Sequence, residues 1–320
     1  MFGLRRRRIH AIGVDMTRQG IRIAQLAEQG NIPGLLAGTW TARPEQIQPN
    51  TEDWYRWATQ AIRQSLSSGP FKGKAAVGTL RPDQVVVETM RIQASDDPKA
   101  DEAVLARLRG PSGQRWTAQD ALVRFLQIDQ QVSLVMAAER RLIDATLAIM
   151  EGAGLDPMAI IPWPQALAAC YARFFGRRQS DLQAVVILVY FEPTQTEVVI
   201  CRHGMPLFAR CMPIGTDNLA EPAAIDSLVS EITACKRDLA NLLATDHPTR
   251  VIFFTAQPEH RDACIAIAKQ LQLQAQLADC LAAIQIPTGL GPQLQRNGLD
   301  RRACPDGWAM AFGLSLSLAN

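Results

Sequence analysis

A strand–turn–strand arrangement occurs twice in this chain, once near the start and once past the middle, and this repeat constrains the fold most strongly. Apolar, β-prone runs flank both turns, and residues 184–190 are apolar throughout, as expected of a strand buried on both faces. Internal duplication of this kind predicts two similar halves. The predicted strands are residues 9–15 and 21–26 around a turn at 17–20, and residues 184–190 and 197–201 around a turn at 193–195.

Helical and strand patterns alternate along the rest of the chain, which favours an α/β fold. We predict a first half at residues 1–80, a small α+β domain inserted at 81–155, and a second half at 156–320, with the last helix packing back on the first half. The predicted helices are residues 51–66, 98–108, 139–152, 165–175, 223–243, 260–271 and 308–318, and the further strands are 35–41, 73–77, 84–92, 121–128, 131–137, 158–161, 206–213 and 251–255.

The charge balance argues against a nucleic-acid-binding protein. The 33 Lys and Arg residues nearly match the 31 Asp and Glu residues, and the six Trp residues are dispersed instead of interleaved with basic side chains. With 48% hydrophobic residues in 320, the chain can form two or three domains with sizeable cores.

No uninterrupted apolar run approaches the roughly 18–20 residues of a membrane span. Residues 9–14 are too short for the apolar core of a signal peptide, so we expect a cytoplasmic protein. Four basic residues precede this run, and they either attract an anionic membrane surface or form a solvated arm. They are Arg5, Arg6, Arg7 and Arg8.

The cysteines and histidines form no pattern typical of a metal site. The seven Cys residues include no C-x-x-C pair, and the four His residues are scattered. We therefore expect buried, reduced cysteines and no metal. The G-x-S-x-G, G-x-G-x-x-G and P-loop signatures are also missing, which disfavours an enzyme of those classes.

Four segments, in order, resemble the PilM family of type IV pilus assembly proteins, which share the actin-like fold of the cell-division protein FtsA. They are AIGVDMTRQGIRIAQL near the start, MAAERRLIDATLAIMEGAGLDPMAIIPWPQALA in the middle, HGMPLFARCMPIG after the second hairpin, and WAMAFGLSLSL at the end. The resemblance implies a duplicated actin-like, ribonuclease H-like fold. It also implies a partner, PilN, whose short cytoplasmic N-terminal tail binds in a groove of the first half.

The same resemblance places a nucleotide cleft at the two hairpin turns. The residues that match its positions are Asp15, Thr17, Arg18 and Gln19 in the first turn, and Thr194 and Thr196 in the second. Asp15 is either a magnesium ligand or a carboxylate that accepts turn amides, and the threonine hydroxyls either contact phosphate or only form turns.

The chain departs from the family at the second turn, where Tyr190, Phe191 and Glu192 replace an Asp-Ile-Gly motif. Aspartate orients metal-bound water and glycine lets phosphate approach the backbone, whereas a glutamate repels phosphate. Gly-Gly is likewise replaced by Ala256 and Gln257, and a subdomain after Gly215 is shortened, as in MshI-like relatives. We therefore expect no cofactor, with ATP and Mg²⁺ bound weakly or not at all.

The sequence thus predicts an assembly scaffold at the inner face of the inner membrane, with a PilN-like single-span partner. An extended tail would add to the edge of the strand at residues 85–92, near Val85, Val87 and Met90. Two alternatives stay open: an ATP-dependent actin-like switch, and a sugar-kinase-like enzyme of the same fold.

Overall fold

The structure is a computed structural model, and it describes residues 8–29, 32–93, 98–111, 113–244, 247–255, 257–286 and 307–318. The strands are β1 (Arg8–Met16), β2 (Gly20–Gln29), β3 (Ile32–Ala42), β4 (Ala75–Gly78), β5 (Val85–Arg91), β6 (Ala121–Gln127), β7 (Val132–Glu139), β8 (Asp156–Ile160), β9 (Val186–Phe191), β10 (Thr196–Arg202), β11 (Met205–Met212), β12 (Arg250–Phe254) and β13 (Gln274–Leu277). The helices are α1 (Glu52–Ser68), α2 (Pro98–Arg107), α3 (Arg140–Gly152), α4 (Trp163–Phe174), α5 (Gln179–Gln183), α6 (Pro222–Leu242), α7 (Arg261–Leu271) and α8 (Trp308–Leu316).

Two five-stranded sheets have the same topology. The first has the order β3-β2-β1-β4-β8 and the second β11-β10-β9-β12-β13. In each sheet the first three strands are antiparallel and the last two pairings are parallel. The duplication predicted from the sequence is therefore confirmed, and each hairpin lies in the middle of its own sheet.

Helix α1 covers one face of the first sheet because its apolar side chains recur at helical spacing. Trp54, Ala58 and Ile62 are buried, and they join β1 and β2 in one core. Thr51 caps this helix, because its hydroxyl accepts a hydrogen bond from the Trp54 amide at 3.3 Å.

Helix α8 is buried along its whole length against β1 and β2. Gly13 of β1 allows this close approach, because a Cβ there would lie 2.2 Å from the Ala311 carbonyl oxygen. Gly313 brings α8 equally close to α4, since its Cβ would lie 1.9 Å from the Ala166 carbonyl oxygen. The Ser315 hydroxyl donates to the Ala11 carbonyl at 2.7 Å and accepts from the Leu26 amide at 3.1 Å. The last helix is thus an integral part of the first sheet's core.

The second sheet packs its apolar face on α6 and α7. Leu228, Ile232 and Leu239 of α6 and Ile267 of α7 are fully or almost fully buried in one core with β9, β10 and β12. Between β11 and α6 the chain makes only a short 3₁₀ turn, Thr216–Asn218.

A three-stranded antiparallel sheet, in the order β5-β7-β6, forms a small core with α2. Its edge strand β5 contacts β11, and the Thr89 hydroxyl donates to the Leu207 carbonyl at 2.9 Å. Because of such contacts, Pro82–Leu142 belongs to the same compact unit as Tyr171–Asp279.

Contacts divide the chain into two units. The first comprises Met1–Arg81, Ile143–Cys170 and Cys280–Asn320, and the second comprises Pro82–Leu142 and Tyr171–Asp279. The three-domain division of the sequence stays a prediction.

Candidate functional site

The first hairpin turn is closed by Thr17. Its hydroxyl accepts hydrogen bonds from the Gln19 and Gly20 amides, each at 3.2 Å, and donates to the Gly20 carbonyl at 3.1 Å. Arg18 is exposed, and its carbonyl accepts from the Arg43 guanidinium at 2.6 Å. The turn therefore satisfies its polar groups with its own side chain and with Arg43.

Asp15 lies on β1, two residues before Thr17, and its side chain is buried beside that of Arg22. Its carboxylate oxygen is 3.5 Å from Nη1 of Arg22, and the two side chains are only 6% and 11% exposed. The guanidinium also lies over the Trp40 ring, 4.5 Å from its centroid. Gly307, at φ +101°, closes over the guanidinium so tightly that a Cβ would lie 2.3 Å from Cζ. Asp15 is thus part of an internal ion pair, while Thr17 accepts the turn amides.

The second hairpin has one carboxylate in its turn, that of Glu192, and one beside the turn on β10, that of Glu197. Glu192 and Glu197 are 8% and 1% exposed, and both accept hydrogen bonds from Nε2 of Gln195, at 3.0 and 3.2 Å. A phosphate-binding turn offers amide donors or cations, whereas here one acid lies in the turn and a second lies beside it.

The two threonines of this turn have different surroundings. Thr196 is fully buried, and its hydroxyl donates to the Ile214 carbonyl at 2.6 Å. Thr194 is exposed at the tip. Two backbone carbonyls of the turn, those of Glu192 and Pro193, accept from the amides of residues 216 and 217 at 2.9 Å. The Thr196 hydroxyl and these two backbone bonds therefore hold the turn to the loop that follows β11.

The six predicted cleft residues are split between the two units. Asp15, Thr17, Arg18 and Gln19 lie in the first unit, and Thr194 and Thr196 lie in the second. Sequence reasoning missed Arg22, Gln195 and Glu197. The signal that could have found Arg22 and Glu197 is hairpin register. Counting an equal number of residues outward on both sides of each tight turn pairs Asp15 with Arg22 and Tyr190 with Glu197.

Two of the three predicted partner contacts have little exposed surface. Val85 and Met90 are 8% and 5% exposed, and Met90 belongs to the core of the three-stranded sheet, whereas Val87 is half-buried. Of the four N-terminal arginines, Arg8 begins β1 and is exposed, and Arg5, Arg6 and Arg7 lie outside the described residues, as does Ala256.

A groove of about 600 Å³ lies between α1 and α3 in the first unit. Tyr55, Thr59, Ala145, Ala148 and Ile149 line it, and α1 adds polar and basic side chains. The groove therefore combines an apolar wall with polar and basic side chains.

Neither a metal cluster nor a membrane span is present in the part of the chain that the structure describes. There, no group of three or more His, Cys, Asp or Glu side chains is placed to hold a metal ion. Among the same residues, no helix combines the length and the apolar character needed to cross a membrane.

Comparison with known proteins gives matches in structure and none in sequence. No protein-family model and no curated protein matches the chain. A chain of the PilM–PilN type IV pilus biogenesis complex superposes with a TM-score of 0.74 at 16% identity, covering 98% of this chain and 99% of that one. A Bacteroides thetaiotaomicron protein with an actin-like ATPase fold and unknown function matches with a TM-score of 0.50 at 6% identity, covering 86% and 92%. The cytoplasmic domain of EpsL, an inner-membrane component of the Vibrio cholerae type II secretion system, gives 0.48 at 11% identity, covering 98% and 96%.

The resemblance to PilM inferred from the sequence is confirmed at the level of the fold. The repeated five-stranded sheets and the match along almost the whole PilM–PilN chain agree. The chain therefore has the duplicated actin-like α/β fold.

Proposed function

We propose that this chain is an assembly scaffold of a type IV pilus or a related secretion machine, and that it binds the cytoplasmic N-terminal tail of a PilN-like, single-span inner-membrane protein. The observation that carries the proposal is the fold match to a chain of the PilM–PilN complex, which covers 98% of this chain and 99% of that one. Peptide capture needs a surface groove or a strand edge and no catalytic residue, which suits a chain without enzyme signatures.

We further propose that the chain is a pseudo-ATPase that has lost the nucleotide. Two features support this: Asp15 is neutralised by Arg22, and Glu192 in the turn and Glu197 next to it on β10 place two acids where phosphates would need donors. These residues do not fit a magnesium nucleotide, because the acidic turn would repel the phosphates and the buried guanidinium would compete for the aspartate.

A thermal-shift titration with ATP and Mg²⁺ tests this second proposal. A nucleotide present at a hundredfold excess over its Kd would stabilise the protein by roughly 2.7 kcal/mol and raise its melting temperature. We expect no rise in the wild type or in Asp15→Ala. A rise that Asp15→Ala abolishes would favour the alternative function, an ATP-dependent actin-like switch of the same machinery.

The tail-binding proposal is tested with a synthetic peptide of the partner's cytoplasmic tail, titrated by calorimetry with and without ATP. We expect micromolar affinity, about −8 kcal/mol, that depends on apolar peptide residues and not on ATP. Absence of binding to every neighbouring single-span protein would contradict the scaffold function.

A matched pair of variants locates the tail. We propose that it adds along β5, so Val87→Arg weakens binding by tenfold or more. Ala148→Arg, which places the same charge in the exposed part of the α1–α3 groove, leaves binding unchanged. The reverse result would move the tail to that groove, and protection of residues 200–213 would move it to the second sheet.

We also propose that the protein lies at the inner face of the inner membrane. Fractionation in cells with and without the partner tests this. Replacement of Arg5, Arg6, Arg7 and Arg8 by Gln shows whether the basic cluster contributes, because attraction to anionic lipid is lost with the charge and weakened by salt. Membrane association that is unaffected by the replacement and lost without the partner would assign it to the partner alone.

A further inference from the structure

Two cysteines distant in sequence meet in the interior of the first unit. Sγ of Cys170 and Sγ of Cys280 are 3.7 Å apart, although 110 positions separate them. Cys170 lies on α4 and is fully buried, and Cys280 lies in the turn that follows β13 and is 7% exposed. Both are thiols. A bonded pair of sulfurs is about 2.05 Å apart, so the two Sγ atoms, now 3.7 Å apart, must approach each other by about 1.7 Å for a disulfide to form.

The two cysteines also lie at the boundaries between the two units along the chain. Cys170 is the last residue of the first unit before the chain passes into Tyr171–Asp279, and Cys280 is the first residue after it returns. A bond between them would close residues 171–279, the larger segment of the second unit, into a covalent loop.

We propose that Cys170 and Cys280 form a reversible disulfide, a modification site that ties together the two points where the chain leaves and re-enters the first unit. The oxidant is a peroxide. It oxidises one thiolate to a sulfenic acid while its O–O bond breaks and the displaced oxygen leaves as water or an alcohol. The second thiolate then attacks the sulfenic sulfur, the S–S bond forms, and the sulfenic oxygen leaves as a second water. A dithiol reductant returns both thiols.

Burial of the two thiols determines which of them reacts first with the oxidant. In a reducing cytoplasm the thiol form dominates, and disulfides formed there are transient or redox-sensing. Because Cys170 is enclosed, oxidation begins at Cys280, which retains some exposed surface. Cys201 serves as a matched control: it is fully buried in the second sheet, and burial raises the pKa of its thiol, so it stays reduced.

Peroxide titration of the folded protein, followed by alkylation in denaturant and peptide mapping, tests the proposal. The oxidised wild type should take up two fewer alkyl groups than its seven cysteines allow, and a peptide pair joined through Cys170 and Cys280 should appear. Cys170→Ala and Cys280→Ala should each abolish the linked pair, and Cys201→Ala should retain it. Dithiothreitol should restore seven alkyl groups.

A second readout is independent of any variant. Proteolysis within residues 171–279 of the oxidised wild type should leave fragments that stay joined on a non-reducing gel, and the loop closure should raise the melting temperature by about 5 °C or more. Seven alkylated cysteines after oxidation, or a linkage between other cysteines under native conditions, overturns the proposal.

Discussion

In the first hairpin the last paired residues before the turn are Met16 and Ile21, and in the second they are Phe191 and Thr196, so four residues make each turn. The same backbone bond closes both: Thr17 N–H donates to the Gly20 carbonyl at 2.8 Å, and Glu192 N–H to that of Gln195 at 2.9 Å. The side chains at equivalent positions of the two hairpins, however, differ in size and chemistry.

Aligning the two hairpins at their turns shows which side chains occupy equivalent positions. The buried pair Asp15 and Arg22 of the first hairpin corresponds to Tyr190 and Glu197 of the second, and the hydroxyl of Thr17 corresponds to the carboxylate of Glu192. The turn geometry thus depends on the strands and on one backbone bond. Side chains at equivalent positions differ in chemistry, and we expect their contributions to stability to differ as well.

The largest difference lies in the interior of the strands. Gly13 is equivalent to Leu188, and substitution by alanine should destabilise the protein at both positions, by overpacking at the first and by leaving a cavity at the second. Gly13→Ala should destabilise the protein by more than about 3 kcal/mol, because its Cβ would lie 2.2 Å from the Ala311 carbonyl oxygen and force α8 away. Leu188→Ala should cost about 3 kcal/mol through a cavity.

Urea unfolding of these variants measures both effects. Gly34→Ala is the control, because its Cβ would have only ordinary contacts, the nearest at 3.5 Å. A tolerated Gly13→Ala would contradict the close packing of α8 on β1.

The second prediction concerns the ion pair of the first hairpin. Arg22→Leu should cost about 3 kcal/mol, because it leaves the Asp15 carboxylate buried without its cation. The double variant with Asp15→Asn should recover part of that loss. Arg56→Leu breaks an exposed ion pair with Asp53 and should change the free energy of unfolding by less than about 1 kcal/mol. Equal effects of Arg22→Leu and Arg56→Leu would mean that burial of the first pair has no energetic consequence.

The third prediction concerns the amide between the two acids of the second hairpin. Gln195→Ala should cost about 2 kcal/mol, because Glu192 and Glu197 both lose a buried donor. Thr194→Ala, at the exposed tip of the same turn, should be neutral in chemical denaturation. If both substitutions were neutral, the amide would not stabilise the acidic pair.

The smallest effect is expected at Thr17. Thr17→Val removes the hydroxyl that accepts two turn amides and should cost about 1 kcal/mol, whereas Thr17→Ser should retain most of the stability. Thermal unfolding, with hydrogen exchange at the Gln19 and Gly20 amides, measures this. Unchanged protection of those amides in the valine variant would show that the backbone bond alone closes the turn.

Periodicity and turn chemistry sufficed to predict most elements of this fold. The strand at Val186–Phe191 and the helix at Pro222–Leu242 were recognisable because burial forces long apolar runs or helical spacing. Gln274–Leu277 was missed, since an exposed edge strand of polar residues has no such pattern. The short helix Gln179–Gln183 was missed for the same reason.

The candidate site was less predictable than the fold. The resemblance indicated Asp15 and Thr17, and the loss of the Asp-Ile-Gly motif was visible at residues 190–192. The partner of Asp15 required the register of the hairpin, and the positions of Glu197 and Gln195 depend on which face of β10 is buried. The contact between Cys170 and Cys280 joins elements that no local pattern connects.

The burial of α8 has a consequence for how the chain acquires its structure during synthesis. Its hydrogen bonds to the first sheet span 289 and 304 positions, so the face of the sheet that it covers cannot close until α8 itself has left the ribosome. The second sheet, from residue 186 to 277, depends on far more local contacts and can form earlier. Strands β1 and β2 are therefore made long before the helix that covers them, and until that helix emerges the face it covers stays open to aggregation.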